Sequence, residues 1–471
     1  MTLPGSLFVI GLPIALAGVL MLLRRWTALM AWSAAAAMSF LGVLVTTATL
    51  NVAYPIGPLN LYLGRPFYLL GRVLVIEPAD RLPLAFIYFT AAGLFVIAWR
   101  LLPHSNFFPI GLVMVALLGA VLMVHQVVYA ALLVEMAAIL AVFPLHESGG
   151  RAHGGLRYIA YVTLALPGLM ITQLLLELFA IFPADMGLLQ TSTVLLGISF
   201  AILLGAVPFQ SWLSTVATDG SPPVVTFLFT VHLGTVWFML LAYLQSYAWL
   251  GRQPLFEPLF TALGLLMMIV GGALAASQRR MGRLVGYAIL VDNGAMFVAL
   301  GTRQTAGLAL TLMMLLARPV ALGLMTIGLD GLRQLGGGDD SATAMQGMAW
   351  SAPWRTVAFL VGGVAMAGFP LSLGFAARWG LYRLMARQDL FQALLALSGS
   401  AGVMMGLVGV IRTLLVPAST DAKPRAPLAE DPVVLVLIIV LIGATLALGL
   451  FPQGASRVAL EMAESFTFFA P

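Results

Sequence analysis

Five ionisable side chains stand inside long apolar runs of this 471-residue chain, and their types decide what chemistry it could perform. Glu135 lies in VHQVVYAALLVEMAAILAV with no Asp, Glu, Lys or Arg within ten residues on either side. His232 follows the Pro222-Pro223 pair by about three helical turns, and Asp292, followed by Asn293 and Gly294, sits in a third apolar run. Arg318 and Arg378 occupy two more. A charged group costs several kcal/mol to keep inside a bilayer, so such groups are few and mark ion or proton pathways. Carboxylates and imidazole can take up and release protons. Arginine cannot at accessible pH, so Arg318 and Arg378 read as fixed charges. The set points to proton movement along polar groups within a membrane.

Each of these residues has a plainer reading beside the functional one. Glu135 could be a protonated acid hydrogen-bonded to a neighbouring helix, and His232 a neutral histidine doing the same. Asp292 opposite Arg318 or Arg378 makes a paired, hydrated site, or an ion pair that merely locks two helices. Glu177 reads as an interface residue and Glu77 as a helix cap. His125, His146 and His153 are too scattered along the chain for metal ligation, and the methionines and aromatics of the spans read as packing and interface anchors.

Composition supplies the elements that must position these groups. The chain is 61% hydrophobic and 9% charged, which fits a polytopic membrane protein and excludes a soluble one. About fourteen spans follow, near 5–23, 27–50, 78–100, 107–124, 125–144, 156–182, 190–216, 222–248, 256–276, 283–301, 305–331, 353–383, 391–416 and 432–452. The first run ends at Arg24 and Arg25 and is followed directly by another span, so it reads as a span rather than a cleaved signal. The larger share of Lys and Arg falls in inner loops if both termini lie outside. Absence of cysteine excludes disulfides and cysteine-held clusters. With no phosphate-cradling loop or dinucleotide fingerprint, the chain is expected to bind neither NADH nor any other cofactor, and its basic pI of about 9.7 reads as topology rather than nucleic-acid binding. Two connections, 336–352 and 417–431, have linker composition, and 51–77 is expected to lie across the outer surface.

The stretch 199–233, SFAILLGAVPFQSWLSTVATDGSPPVVTFLFTVHL, departs from the row of simple spans. A helix meets Pro208, a wet turn follows at Thr218 to Ser221, and Pro222 and Pro223 open a second helix. Proline within a span removes a backbone hydrogen bond that the bilayer cannot replace. GAVPFQSWL, DGSPPV and FLFTV resemble the signature region of the antiporter-like membrane subunits of respiratory complex I (the NADH-quinone oxidoreductase subunit N/M type), the Mrp-type cation/proton antiporter subunits and the membrane arms of group 4 hydrogenases. Gly205, Pro208, Phe209, Trp212, Gly220, Pro223 and Val224 match that pattern. A second Gly/Pro-marked segment, GFPLSLGFAARW around Pro370, stands at a corresponding place, and SQRRMGRLVGYAILVDNGAMFVALG and the Glu135 segment add two more matches.

The resemblance implies an all-α membrane fold with two inverted five-helix repeats, each with a broken helix. They would cover 107–248 and 256–416, after an N-terminal three-helix segment at 1–106 and before a loop and last span at 417–471. It implies a non-redox subunit of a multi-subunit translocase in a bacterial-type inner membrane, partnered by other membrane subunits and the bilayer, with quinone reached only through partners. Glu135 takes the place of the family's membrane glutamate, but the lysines of that family are missing. Leu203, Leu233, Arg318 and Arg378 stand at or near their positions, Gln210 replaces a histidine, and the only lysine, Lys423, is in a loop. Two readings stay open: a proton path through Glu135, His232 and Asp292 with Arg378 as fixed charge, or a scaffold that has lost the path. A subunit of an Mrp-type antiporter or group 4 hydrogenase is a further alternative.

Overall fold

A computed structural model describes residues 2–56, 59–69, 71–102, 105–124, 126–146, 153–182, 185–251, 253–417 and 430–468; His125, Lys423 and most of the 417–431 linker lie outside them. The fold is predominantly helical. Among the described residues, twelve helices are long and apolar enough to cross a membrane, and Phe107–Met123 adds a shorter apolar helix. The principal helices are α1 (Gly5–Leu22), α2 (Thr27–Thr47), α3 (Arg81–Leu101), α4 (Phe107–Met123), α5 (Val127–His146), α6 (His153–Ile181), α7 (Met186–Leu203), α8 (Ser211–Asp219) and α9 (Pro222–Ser246). They continue with α10 (Phe256–Ala276), α11 (Met281–Gly301), α12 (Thr305–Leu335), α13 (Pro353–Met366), α14 (Leu373–Gln388), α15 (Leu390–Leu415), α16 (Pro432–Leu450) and α17 (Gln453–Glu464).

The chain divides into two compact units. The first is built from α1–α7 and Phe227–Leu250, the second from Gly205–Thr226 and α10–α17.

In the first unit, part of the segment 51–77 forms short strands. β1 (Thr2–Pro4) pairs parallel with β3 (Leu59–Tyr62), β2 (Ala53–Ile56) pairs antiparallel with β3, and β4 (Phe67–Leu69) forms a hairpin with β5 (Arg72–Leu74). Pairing satisfies backbone groups that an extended segment against lipid would leave open. Glu77 caps as expected: its amide donates to Asp80 at 2.9 Å in a reciprocal box that opens the turn before α3. Arg81 then donates to the carbonyls of Val45, Thr46 and Ala48 at 2.7–2.8 Å, closing the end of α2.

In the second unit, small residues let helix backbones touch, as they do where apolar helices cannot rely on water to drive them together. A Cβ on Gly294 of α11 would stand 2.7 Å from the Gly264 carbonyl of α10, and one on Gly362 of α13 would stand 2.5 Å from the Ala321 carbonyl of α12.

The two proline-marked stretches are full interruptions of the helix. α7 stops at Leu203, Gly205 takes φ +67°, the Val207-Pro208 peptide is cis, and helix resumes at Ser211. The stretch 353–383 is likewise two helices, parted by Gly368 at φ +73° and Leu371 at φ +69°, with Ser372 accepting from the Phe375 amide at 3.3 Å to start α14. Glycine is the residue that adopts positive φ without strain.

Candidate functional site

The charged residues fall into two groups, one in each unit. In the first, α5 carries Glu135, α6 carries Tyr158 and Thr163, and α9 carries His232. The Thr163 hydroxyl donates to Glu135 Oε1 at 2.5 Å, while Glu135 Oε2 is buried without a hydrogen-bond partner. The Tyr158 hydroxyl and His232 Nε2 lie 3.0 Å apart with the rings edge to face, and His232 Nδ1 is also buried and unmatched. Glu135 and His232 are not bonded to each other; each is held by a hydroxyl of α6. Buried polar atoms left open in this way are places for ordered water. His232 closes a π turn, Leu228–His232, in which the Leu233 amide reaches back to the Leu228 carbonyl. Such turns insert one residue into a helix and recur at functional sites.

The second group is a single ionic contact. Asp292 on α11 offers Oδ2 to Arg318 of α12, at 2.8 Å from Nε and 2.7 Å from Nη2, and Oδ1 to Arg378 of α14, 2.9 Å from Nη2. The expectation that Asp292 would face one arginine or the other is met by both at once. Arg318 also donates to Asn293 Oδ1 at 2.7 Å and approaches Met296 Sδ at 3.0 Å, one helical turn along α11 from Asp292. Both guanidiniums are buried, with 0% and 1% of their side chains exposed. One carboxylate between two guanidiniums leaves a net charge of +1 in the contact.

The second break supplies part of this arrangement. In a continuous helix the Met366 carbonyl would accept from the amide of residue 370, and Pro370 has none. Arg378 Nη2 donates to that carbonyl at 3.0 Å instead, and its Nη1 donates to Ser400 Oγ at 3.1 Å, which in turn meets the Tyr382 hydroxyl at 2.7 Å. A Cβ on Gly368 would collide with the Arg378 side chain. Gly368→Ala is therefore expected to cost about 1–3 kcal/mol, combining strain at positive φ with displacement of the guanidinium. A thermal melt in detergent checks this against Gly409→Ala, a position with open space around the added methyl. A cavity of about 20 Å³ beside the contact, lined by Asp292, Arg318, Arg378, Ser372 and Thr445, has room for one water.

The end of α8 beyond the first break is held by a cation. Arg333 on α12 donates to the carbonyls of Ala217, Thr218 and Gly220 at 2.9–3.1 Å, closing α8, and pairs with Asp340 at 2.7 Å. The same Asp340 oxygen accepts the Gly282 amide at 2.9 Å and caps α11. Gly205, Pro208 and Phe209 lie in the break, Trp212 is buried in the first turn of α8, and Pro223 opens α9. Leu203 is buried as the last residue of α7, and Gln210 keeps a buried, unmatched Oε1.

Tyr158, Thr163, Ser400, Tyr382 and Arg333 were not singled out from the sequence. Hydroxyls within apolar runs look like packing, and Arg333 looked like a loop cation.

The sequence matches the family described as NADH:quinone oxidoreductase/Mrp antiporter, TM, over residues 159–405, slightly more than half of the chain. That stretch includes His232, Asp292, Arg318 and Arg378; Glu135 precedes it. NADH-quinone oxidoreductase subunit N of Rhodococcus opacus (strain B4) is 28% identical over 323 residues, covering 64% of this chain and 55% of that protein. Subunit N of Parafrankia sp. (strain EAN1pec) is 30% identical over 292 residues, covering 59% and 53%. The matched stretch thus spans little more than half the length of these relatives. Among solved structures, a chain of the Mrp complex from Dietzia sp. DQ12-45-1b superposes with a TM-score of 0.77 at 16% identity, covering 99% of this chain and 98% of that one. A chain of respiratory complex I from Thermus thermophilus with bound NADH gives 0.73 at 17%, covering 99% and 100%. At these identities the likeness is one of fold.

Proposed function

Because the chain belongs to the NADH:quinone oxidoreductase/Mrp antiporter transmembrane family, we propose that it is a membrane subunit of a redox-driven, proton-translocating complex of the complex I type. The observation that carries this reading is the buried contact of Asp292 with Arg318 and Arg378. Three ionisable groups in one buried contact between three helices are costly to keep and have a direct use where charge must be sensed or moved. The relatives named subunit N support the subfamily. In this reading the electron-transfer centres and quinone belong to partner subunits, the chain sits in a bacterial-type inner membrane with both termini outside, and its inverted repeats cover 107–248 and 256–416. Glu135 and His232, with Thr163, Tyr158 and water, carry protons in the first unit. Asp292 does so in the second, where Arg318 and Arg378 act as fixed charges that respond to its state.

One observation favours a second reading, a scaffold that keeps fold and neighbours without a proton path. Leu203 is buried where the resemblance places a lysine, and both Asp292 oxygens are committed to guanidiniums. The two readings separate in vesicles holding the intact purified complex, with protons moved per electron measured at matched electron-transfer rates. Glu135→Gln is expected to lower that ratio. An unchanged ratio together with unchanged turnover makes this subunit the scaffold.

A further inference from the structure

One buried acid belongs to neither group of charged residues described above. Asp330 is 8% exposed and lies on α12 about 18 Å from Arg318 by helical rise, toward the end that carries the 336–352 connection. We propose that Asp330 is a proton-binding site at this mouth of the second unit, taking up and releasing one proton beside the guanidinium of Arg355.

A glycine sets the geometry. A Cβ on Gly331 would stand 2.7 Å from Arg355 Cγ and Cδ, so the Arg355 side chain, from the first turn of α13, crosses α12 at the residue after Asp330. Arg355 is itself buried, and its donors are directed elsewhere: Nε to Glu430 Oε2 at 3.1 Å and Nη1 to the Ile327 carbonyl at 3.0 Å. Asp330 Oδ2 accepts from the Gln334 side-chain amide at 2.8 Å, one turn along the same helix. Among the described residues Asp330 has no ion pair, and neither its Oδ1 nor Arg355 Nη2 makes a hydrogen bond. A carboxylate buried against an uncharged amide is costly as an ion, and taking a proton removes that cost. When the proton leaves, the open Nη2 of Arg355 offers the carboxylate a charged donor. The other charged group acting on Asp330 is Arg333, one turn on, whose guanidinium is turned to α8 and Asp340. Across Arg355, Glu430 keeps Oε1 buried without a partner, a place for the water that would exchange the proton. Asp330, Arg355 and Glu430 carry no net charge with the proton bound and −1 without it. Both states keep Arg355 opposite a carboxylate, so the proton can come and go without stranding a cation, as neutralising Asp292 would. Proton binding follows from these residues alone; its use in transport rests on the function proposed above, in which this mouth faces the inner side.

The test is infrared spectroscopy of the purified full-length chain in detergent, following the stretch of protonated carboxyl groups as pH is raised. Wild type is expected to lose one component that Asp330→Asn lacks at every pH. Arg355→Gln removes the cation that favours the carboxylate and is expected to move the midpoint of that loss up by about 1 on the pH scale. Glu430→Gln removes the competing anion and is expected to move it down. Glu461→Gln, in the exposed Arg457–Glu461 pair of α17, is expected to leave it in place. Melting curves establish that the variants are folded, and the two variants that keep Asp330 carry the test if Asn disturbs packing. A spectrum unchanged by Asp330→Asn, a component that persists across the whole pH range, or a midpoint that neither neighbouring variant moves overturns the proposal. In vesicles holding the intact complex, Asp330→Asn is expected to lower the protons moved per electron. A ratio lowered by Glu135→Gln but not by Asp330→Asn overturns the use of this site in transport and leaves the proposed function standing.

Discussion

Asp292→Asn is expected to destabilise the protein by about 3–5 kcal/mol, because it strands two buried guanidiniums without a counter-charge. The asparagine keeps one acceptor oxygen for one of the two arginines, and the donors of the other then face its NH2 group. A denaturation midpoint in detergent measures the loss. Replacing all three residues together separates structural from functional cost. Buried ion clusters exchanged for apolar residues of similar volume are often neutral or more stable, so Asp292→Leu with Arg318→Met and Arg378→Met is expected to recover most of the stability. If that triple variant assembles into the complex and transfers electrons but moves fewer protons per electron, the ionic contact is part of the coupling. A triple variant that pumps normally reduces the contact to a helix lock, the plainer reading that the sequence already offered.

Arg333→Leu is expected to have the next largest effect, at the other end of the same unit. It removes the cation that closes three carbonyls at the end of α8 and leaves the nearly buried Asp340 with only a backbone amide. Hydrogen bonds to charged groups are worth roughly 1.5–3 kcal/mol each and do not add fully, so a local loss of about 3 kcal/mol is expected. That corresponds to about a hundredfold in the opening equilibrium of this end. Hydrogen exchange reads it out: the amides of the last turn of α8 and the first turn of α11 should exchange faster, while those of α15 should not change. Uniform acceleration across the unit would mean that Arg333 supports global stability rather than this junction.

How much of this could be read beforehand follows from what each signal depends on. Glu135, Asp292, Arg318 and Arg378 stood out because charge in an apolar run is rare whatever the tertiary structure. That Asp292 would face one of the two arginines was legible too, but its pairing with both at once was not, since that depends on three helices meeting and no spacing along one helix encodes it. Thr163 and Tyr158 were invisible for a related reason: a hydroxyl in a span can satisfy itself on its own backbone, as Thr172 does on Gly168 at 2.7 Å. The positions of the two breaks were marked by Pro208 and Pro370. Their depth was not, because it comes from Gly205 and Gly368 at positive φ, and glycine is common elsewhere in these spans. The strands within 51–77 were missed because short edge pairings carry little periodicity.

The π turn at Leu228–His232 changes what it means to count along α9. The turn takes up one extra residue without adding rotation, so each residue beyond it lies about 100° behind its place in an uninterrupted α-helix of the same numbering. His232 and Leu233 are neighbours in sequence, yet which of them occupies a given side of the bundle depends on whether the turn is present. Removing one residue between 228 and 232 would let the helix close into regular α geometry with Thr235, Trp237 and the residues after them kept on the sides they now occupy, whereas straightening the turn without a deletion would swing them to new neighbours. A position in this helix is therefore defined by phase as well as by number, and an alignment with a chain lacking the turn needs a one-residue gap here to compare like with like.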